Sequence, residues 1–303
     1  MNTQSNVIRE SPDSRTILPT VTNSTRPFYW SVRRELWENR SIYIAPLAVA
    51  AVALFGYLIA SIGYAMSTTN LAQRRAALEE PYGFATALIM GAAFLVSIFY
   101  SLDALHSERR DRSILFWKSL PVSDLTTVLS KASIPLIVLP LLAFAIVVAT
   151  VSIMLVLTAL VLMGSGVEVA TIWKPALYQM GLMLLYHLIT VHVLWYAPFY
   201  GWLLLVSAWA RRAAFLWAFL PPVAIGGIER IAFHTSHFFD LLQSRFMGGG
   251  PEEMSPPGSI SIFQAMHIMP WRFLSSPGLW IGLLITAGFL AAAVRLRRHQ
   301  GPI

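Results

Sequence analysis

Residues Ile42–Met66 read IYIAPLAVAAVALFGYLIASIGYAM, an apolar run without a single Asp, Glu, Lys or Arg. About 20 such residues in a helix cross roughly 30 Å of hydrocarbon, and a helix satisfies its own backbone hydrogen bonds there. Five more apolar runs follow, at Phe84–Leu105, Ala132–Met163, Pro175–Ala210, Ala213–Phe233 and Gly278–Val294. The whole chain of 303 residues is 56% hydrophobic and 12% charged, with a mean hydropathy of +0.62. Soluble domains carry about 25% charged residues, so a water-facing shell cannot be built and a soluble globule is excluded. With no Cys, disulfide frameworks, thiol catalysis, iron–sulfur clusters and cysteine zinc sites are excluded too. The expectation is an all-α integral membrane protein of six spans.

Residues 1–26 are polar and aperiodic and read as a disordered cytoplasmic tail; the membrane domain is expected over 27–303. Between them and the first span, PFYWSVRRELWENR (Pro27–Arg40) is amphipathic. Helical spacing puts Phe28, Tyr29, Val32 and Leu36 on one arc and Arg34 and Glu38 opposite, with Trp30 and Trp37 between. That pattern predicts an interfacial helix lying on the membrane. Pro140 and Pro198 are expected to kink the long third and fourth runs, and Pro221-Pro222 to break the fifth, because proline removes a helix hydrogen bond.

The net charge of +7 does not point to nucleic acid, because the basic residues cluster at the ends of apolar runs. An N-in, C-in arrangement places 16 of the 22 Lys and Arg residues inside, as membrane topology favours. The segment from about His234 to Pro277 then lies outside. Its apolar stretches His237–Met247 and Ile260–Phe273 are too short to span and predict short re-entrant helices around GGGPEEMSPPGS.

The cytoplasmic loop between spans two and three, HSERRDRSILFWKSLPVSDLTTVLSK (His106–Lys131), encloses the apolar cluster Ile114–Trp117 within dense charge. Helical spacing groups Phe116, Trp117 and Leu120 with Ser113, sets Arg112 at the edge and turns Lys118 away. Pro121 ends that helix, and Ser123 or Asp124 caps the next. Two readings fit: a helix that enters a partner's groove, or one lying on the inner leaflet with its tryptophan as an anchor.

SERRDRSILFWKSLPVSD after FYSLDALH resembles the cytoplasmic loop of ABC-2 type transporter permeases. WSVRRELWENRSIYIAPL resembles their N-terminal interfacial helix and first span. WYAPFYGWLLLVSAWARRAAFLWAFLPP, followed by ERIAFHTSHF, resembles spans four and five of a bacterial branch. The resemblance implies the transmembrane subunit of an exporter in the bacterial plasma membrane. It implies a permease dimer, expected as a homodimer, with two copies of an ATP-binding subunit. It further implies that Glu108, Arg109, Asp111, Arg112, Phe116, Trp117 and Lys118 couple to the ATPase, with Arg33, Arg34 and Glu35 on the interfacial helix. The chain holds no G-x-x-x-x-G-K-[ST] string, so ATP and Mg²⁺ belong to the partner chain; no cofactor is expected on this one, and lipids are its other partners.

Other chemistry competes. His234, His237 and Asp240 fall at three-residue spacing, a metal half-site if they share one helix, and would serve a membrane-embedded metal enzyme. His187 and His192 within span four are candidate path groups. Asp103 at the inner end of span two, and Glu229 and Arg230 at the outer end of span five, are candidate path or gate groups. A non-transporting scaffold or sensor is the remaining alternative. Span centres carry no acid or lysine, which argues against an ion-coupled carrier and for an amphipathic, lipid-like or peptide cargo.

Overall fold

The structure, a computed structural model, describes residues 25–67, 71–119, 122–162, 181–182, 184–186, 188–247 and 270–301. The 1–24 stretch of the tail, Leu120 and Pro121, His187, the start of the fourth apolar run and the Ile260–Met269 part of the second outer stretch lie outside these residues. Among the described residues the chain is all-helical. Its helices are α1 (Thr25–Glu38), α2 (Ser41–Ser67), α3 (Leu71–Asp103), α4 (His106–Arg110), α5 (Ile114–Ser119), α6 (Asp124–Ser133) and α7 (Leu139–Leu162). After these come α8 (Ala197–Trp209), α9 (Ala214–Phe233), α10 (His237–Met247), α11 (Pro270–Ser275) and α12 (Pro277–His299). Five segments are long and apolar enough to cross a membrane: Ser41–Ala60, Pro81–Arg110, Asp124–Leu160, Ala214–Phe233 and Pro277–His299. Leu184–Trp195 and Ala197–Trp209 form a further pair, bent by 44°. These helices fit a multi-pass membrane protein. The third segment starts eight residues before the expected Ala132, because the Ser123 hydroxyl accepts the Thr126 amide at 3.0 Å and caps α6.

Helices α2, α3 and α7 pack together around Ile42, Ile89, Leu139, Ala143 and Val147, and Leu188 and Leu204 extend this core towards α8. Gly201 lets α12 lie against α8: a Cβ there would sit 3.3 Å from Thr286 Cγ2, the close approach that small residues permit between membrane helices. Tyr57, Tyr82 and Thr158 join α2, α3 and α7 through their hydroxyls.

The prolines act unevenly. A π-type segment, Ile134–Val138, precedes Pro140, and the Leu139 amide reaches back five residues to the Ile134 carbonyl. A second, Leu188–Trp195, precedes Pro198, with the Tyr196 amide on the Val191 carbonyl at 2.9 Å. Both wide turns make room for a ring that a regular helix would clash with. The expected break at Pro221-Pro222 does not form, and α9 runs through both. Pro222 cannot donate to the Ala218 carbonyl, but the Trp202 indole of α8 donates to that oxygen at 3.0 Å. A neighbouring helix thus supplies the donor that the proline lacks.

Helix α1 divides its expected apolar arc between protein and surface. Val32 and Leu36 pack on the core, whereas Phe28 and Tyr29, expected beside them, are exposed with Trp30 and Trp37. The buried edge of α1 carries Glu35 instead, and Arg34 lies half-buried next to it.

Helix α10 is pinned at both ends. The Glu229 carboxylate of α9 accepts the His237 and Phe238 amides, each at 2.9 Å, and so caps its N-terminus. At the other end Arg245 donates to the Trp195 carbonyl at 3.3 Å and to the Gly278 carbonyl, with its guanidinium 4.1 Å from the Trp195 ring centroid.

Candidate functional site

Polar groups gather at the arginine-rich end, where α1, α3, α4, α6 and α12 meet. The Lys131 ammonium and the Arg34 guanidinium both donate to Glu35 Oε1 at 2.8 Å, and the Tyr100 hydroxyl donates to Glu35 Oε2 at 2.9 Å. Glu108 Oε1 faces the same two cations at 3.2 Å, while its Oε2 accepts from Arg297. Arg297 Nε continues to Asp124 Oδ1 at 3.1 Å. Relative exposure is 1% for Glu35, 2% for Lys131, 5% for Arg297 and 6% for Glu108. Three carboxylates therefore meet three cations, with Glu35, Lys131, Glu108 and Arg297 buried and Arg34 and Asp124 at a partly exposed margin. Such a cluster persists only when every charge is matched, because an unpaired buried ion costs several kcal/mol.

Local structure delivers each member. The Ser123 cap fixes the start of α6, which sets Asp124 in its first turn and Lys131 two turns on. Arg297 occupies the last turn of α12, where the helix dipole favours a cation. Burial alone would raise the Glu35 carboxyl, but Lys131, then Arg34 and the Tyr100 hydroxyl, outweigh it and hold it below the usual carboxylate range.

Helix α5 sits on this cluster. Arg112, with φ at 59°, takes the left-handed turn that leads into it, and Ile114 is the buried anchor. The Trp117 ring lies 3.7 Å from the Arg34 guanidinium carbon, a close cation–π contact, and meets Phe116 edge-on at 4.9 Å. Leu115 and Phe116 are each 60% exposed. Phe116 and Trp117 therefore do not present one common face: Trp117 is the root of the knob, and Leu115 with Phe116 is its tip. Lys118 is tied to the end of the chain, its ammonium donating to the Gln300 carbonyl at 3.2 Å and the Arg298 carbonyl at 3.5 Å.

Two residues expected among the partner-facing groups are inside. Glu108 is the hub of the cluster. Arg109, also 6% exposed, donates to the Ala208 carbonyl at 2.6 Å and helps dock α4 on α8. A charge in a short loop is normally solvated; here the loop folds back onto the helix ends. Asp111 and Arg112 stay exposed, Asp111 pairing with Arg110 at 3.1 Å. Arg33 lies over the Trp30 and Trp37 rings at 5.1 and 5.3 Å.

The remaining candidates are dispersed. Asp103 is exposed and faces Arg110 at 3.9 Å. His192 meets the Tyr196 ring edge-on at 5.5 Å; His187 lies outside the described residues. Glu229 serves as the cap of α10, and Arg230 is exposed. His234, His237 and Asp240 do not share a helix, because α9 ends at Phe233 and His234 turns left-handed at φ 53°. Asp240 accepts instead from the Ser236 hydroxyl at 3.0 Å. Among the described residues no three His, Cys, Asp or Glu side chains gather to hold a metal ion. Lys131, Arg297 and Arg245 are not among the site groups that the sequence suggests. Lys131 and Arg297 carry a local signal, a cation at the end of an apolar run, but their partners come from far along the chain. No protein-family model, curated protein or solved structure matches this chain.

Proposed function

We propose that the chain is the permease subunit of an ATP-driven exporter of the ABC-2 type, working as a homodimer with two copies of a separate ATPase subunit. It crosses the bacterial plasma membrane six times, the bent pair counting as one span, with both termini and the knob in the cytoplasm. The observation that carries this reading is the α5 knob: an exposed Leu115–Phe116 tip whose root, Trp117, is stacked on a buried ion cluster. A tip seated on a flexible loop would absorb a push. This one is tied to α1 by Trp117 on Arg34 and to the α12 end by Lys118, and Arg34 in turn shares Glu108 with Lys131 of α6 and Arg297 of α12, so displacement of α5 has a route to the helices that span the membrane.

The arginine distribution supports the orientation, and the missing phosphate-binding loop puts ATP and Mg²⁺ on the partner. Among the described residues, the ionic groups of the cluster sit at the helix ends rather than in span centres. An external motor fits that arrangement better than an internal ion relay, and the apolar character of the spans suits an amphipathic, lipid-like or peptide cargo.

Purification from native membranes tests the reading. An ATPase subunit is expected to copurify with the wild-type chain and to be lost from the Leu115→Ser, Phe116→Ser variant, which alters only exposed side chains. Recovery of no ATPase from wild type, or equal recovery from both, overturns it.

A further inference from the structure

The turn between α8 and α9 carries Arg211 and Arg212, both exposed. Ala213, left-handed at φ 50°, holds the turn tight. Beneath it the Ser207 hydroxyl accepts the Leu105 and His106 amides, each at 3.0 Å, and so locks α3 and α4 onto α8. That lock brings Arg109 under the turn, where it donates to the Ala208 carbonyl, and Arg211 stands close enough for its charge to act on Arg109 unfavourably. Among the described residues, none of these three arginines pairs with a carboxylate. The acids of this end are engaged elsewhere: Glu35, Glu108 and Asp124 in the cluster, Glu38 with Arg34, and Asp103 and Asp111 with Arg110. A rigid turn therefore presents like charges that the protein itself leaves unmatched.

The flanks say where the counter-charge comes from. Trp209 and Trp217 close the two sides of the turn, their rings edge-on at 4.9 Å and both nearly half exposed. Paired indoles at the end of apolar helices sit in the headgroup layer of a bilayer. Guanidinium groups at that depth, with their planar donor forks, suit a phosphate diester. We infer that the α8–α9 turn is a binding site for an anionic phospholipid, whose headgroup phosphate is held by Arg211 and Arg212 beside the packed Trp209–Trp217 ring pair. Bound there, the lipid offsets the charge that Arg211 exerts on buried Arg109, the chain neighbour of the Glu108 hub. The inference needs only a membrane-embedded chain and stands whether or not an ATPase partner exists.

Native mass spectrometry of the purified full-length protein tests it. The protein is exchanged from micelles containing equal amounts of phosphatidylglycerol and phosphatidylcholine, and the retained lipids are counted. Wild type is expected to retain phosphatidylglycerol preferentially, and Arg211→Gln, Arg212→Gln to lose about tenfold of that preference. Arg295→Gln, Arg298→Gln removes the same charge from another exposed site at this end and should keep the preference. Retention by the first variant, or equal loss in the second, overturns the site, since either outcome reduces the effect to net charge. Displacement of the lipid by inorganic phosphate at matched concentration would also overturn it, marking a site for a free anion. Unchanged melting of both variants in phosphatidylcholine alone separates loss of the lipid from loss of the fold.

Discussion

Replacing Lys131 with methionine keeps the length and apolar stem of the side chain and removes its charge. Lys131 donates to Glu35 at 2.8 Å and faces Glu108 at 3.2 Å, so the variant leaves two buried carboxylates with Arg34 and Arg297 alone. Breaking a buried pair by deleting one partner costs about 3–5 kcal/mol. At about 2.1 cal/mol/K of unfolding entropy per residue, about 1 kcal/mol lowers the melting temperature of a chain of this size by roughly 1.5 °C, so a drop of about 4–8 °C is expected for protein in mild detergent. Adding Glu35→Gln removes one charge of each sign. If the cluster is one unit, the double variant should fall short of the summed single losses by about 0.5–3 kcal/mol. Thermal unfolding of wild type, both single variants and the double variant completes the cycle. A drop below about 2 °C for Lys131→Met, or strictly additive losses, would refute the claim that these charges are buried and mutually dependent.

Acidification addresses the same groups from the other side. Glu35 titrates below its ordinary value in the folded chain, so its contribution is complete above the unfolded carboxyl value of about 4.3 and is lost as pH falls below it. Melting should therefore be flat between about pH 7 and 5 and decline below about 4.5, with a shallower decline in Glu35→Gln; parallel curves would contradict this. Trp202→Phe removes the donor to the Ala218 carbonyl, costs about 1–3 kcal/mol and should speed hydrogen exchange after Pro222 in α9. Unchanged exchange there would show that α9 tolerates its two prolines without help.

Much of the architecture is legible in the sequence because bilayer thickness and backbone hydrogen bonding leave so few choices for an apolar run such as Ile42–Met66. What escapes is whatever depends on a partner from elsewhere in the chain. Pro221-Pro222 reads as a break because Trp202, which repairs it, lies on another helix. The burial of Glu108 and Arg109, expected among the groups that couple to an ATPase, is not legible because Lys131, Arg297 and the Ala208 carbonyl are invisible at their positions in the chain. The spacing of His234, His237 and Asp240 promises a shared helical face, but one left-handed residue ends the helix between them. The knob itself is legible in outline: ILFW within dense charge marks an unusual loop. Which ring roots it and which is offered outward depends on the Arg34 contact from α1.

For a nucleotide-driven motor to grip it, the knob must face the cytoplasm. The chain has no cysteine, so Phe116→Cys introduces a unique thiol at an exposed tip. A membrane-impermeant maleimide should leave it unlabelled in intact cells and label it after permeabilisation. Labelling in intact cells would place the knob outside and contradict the account.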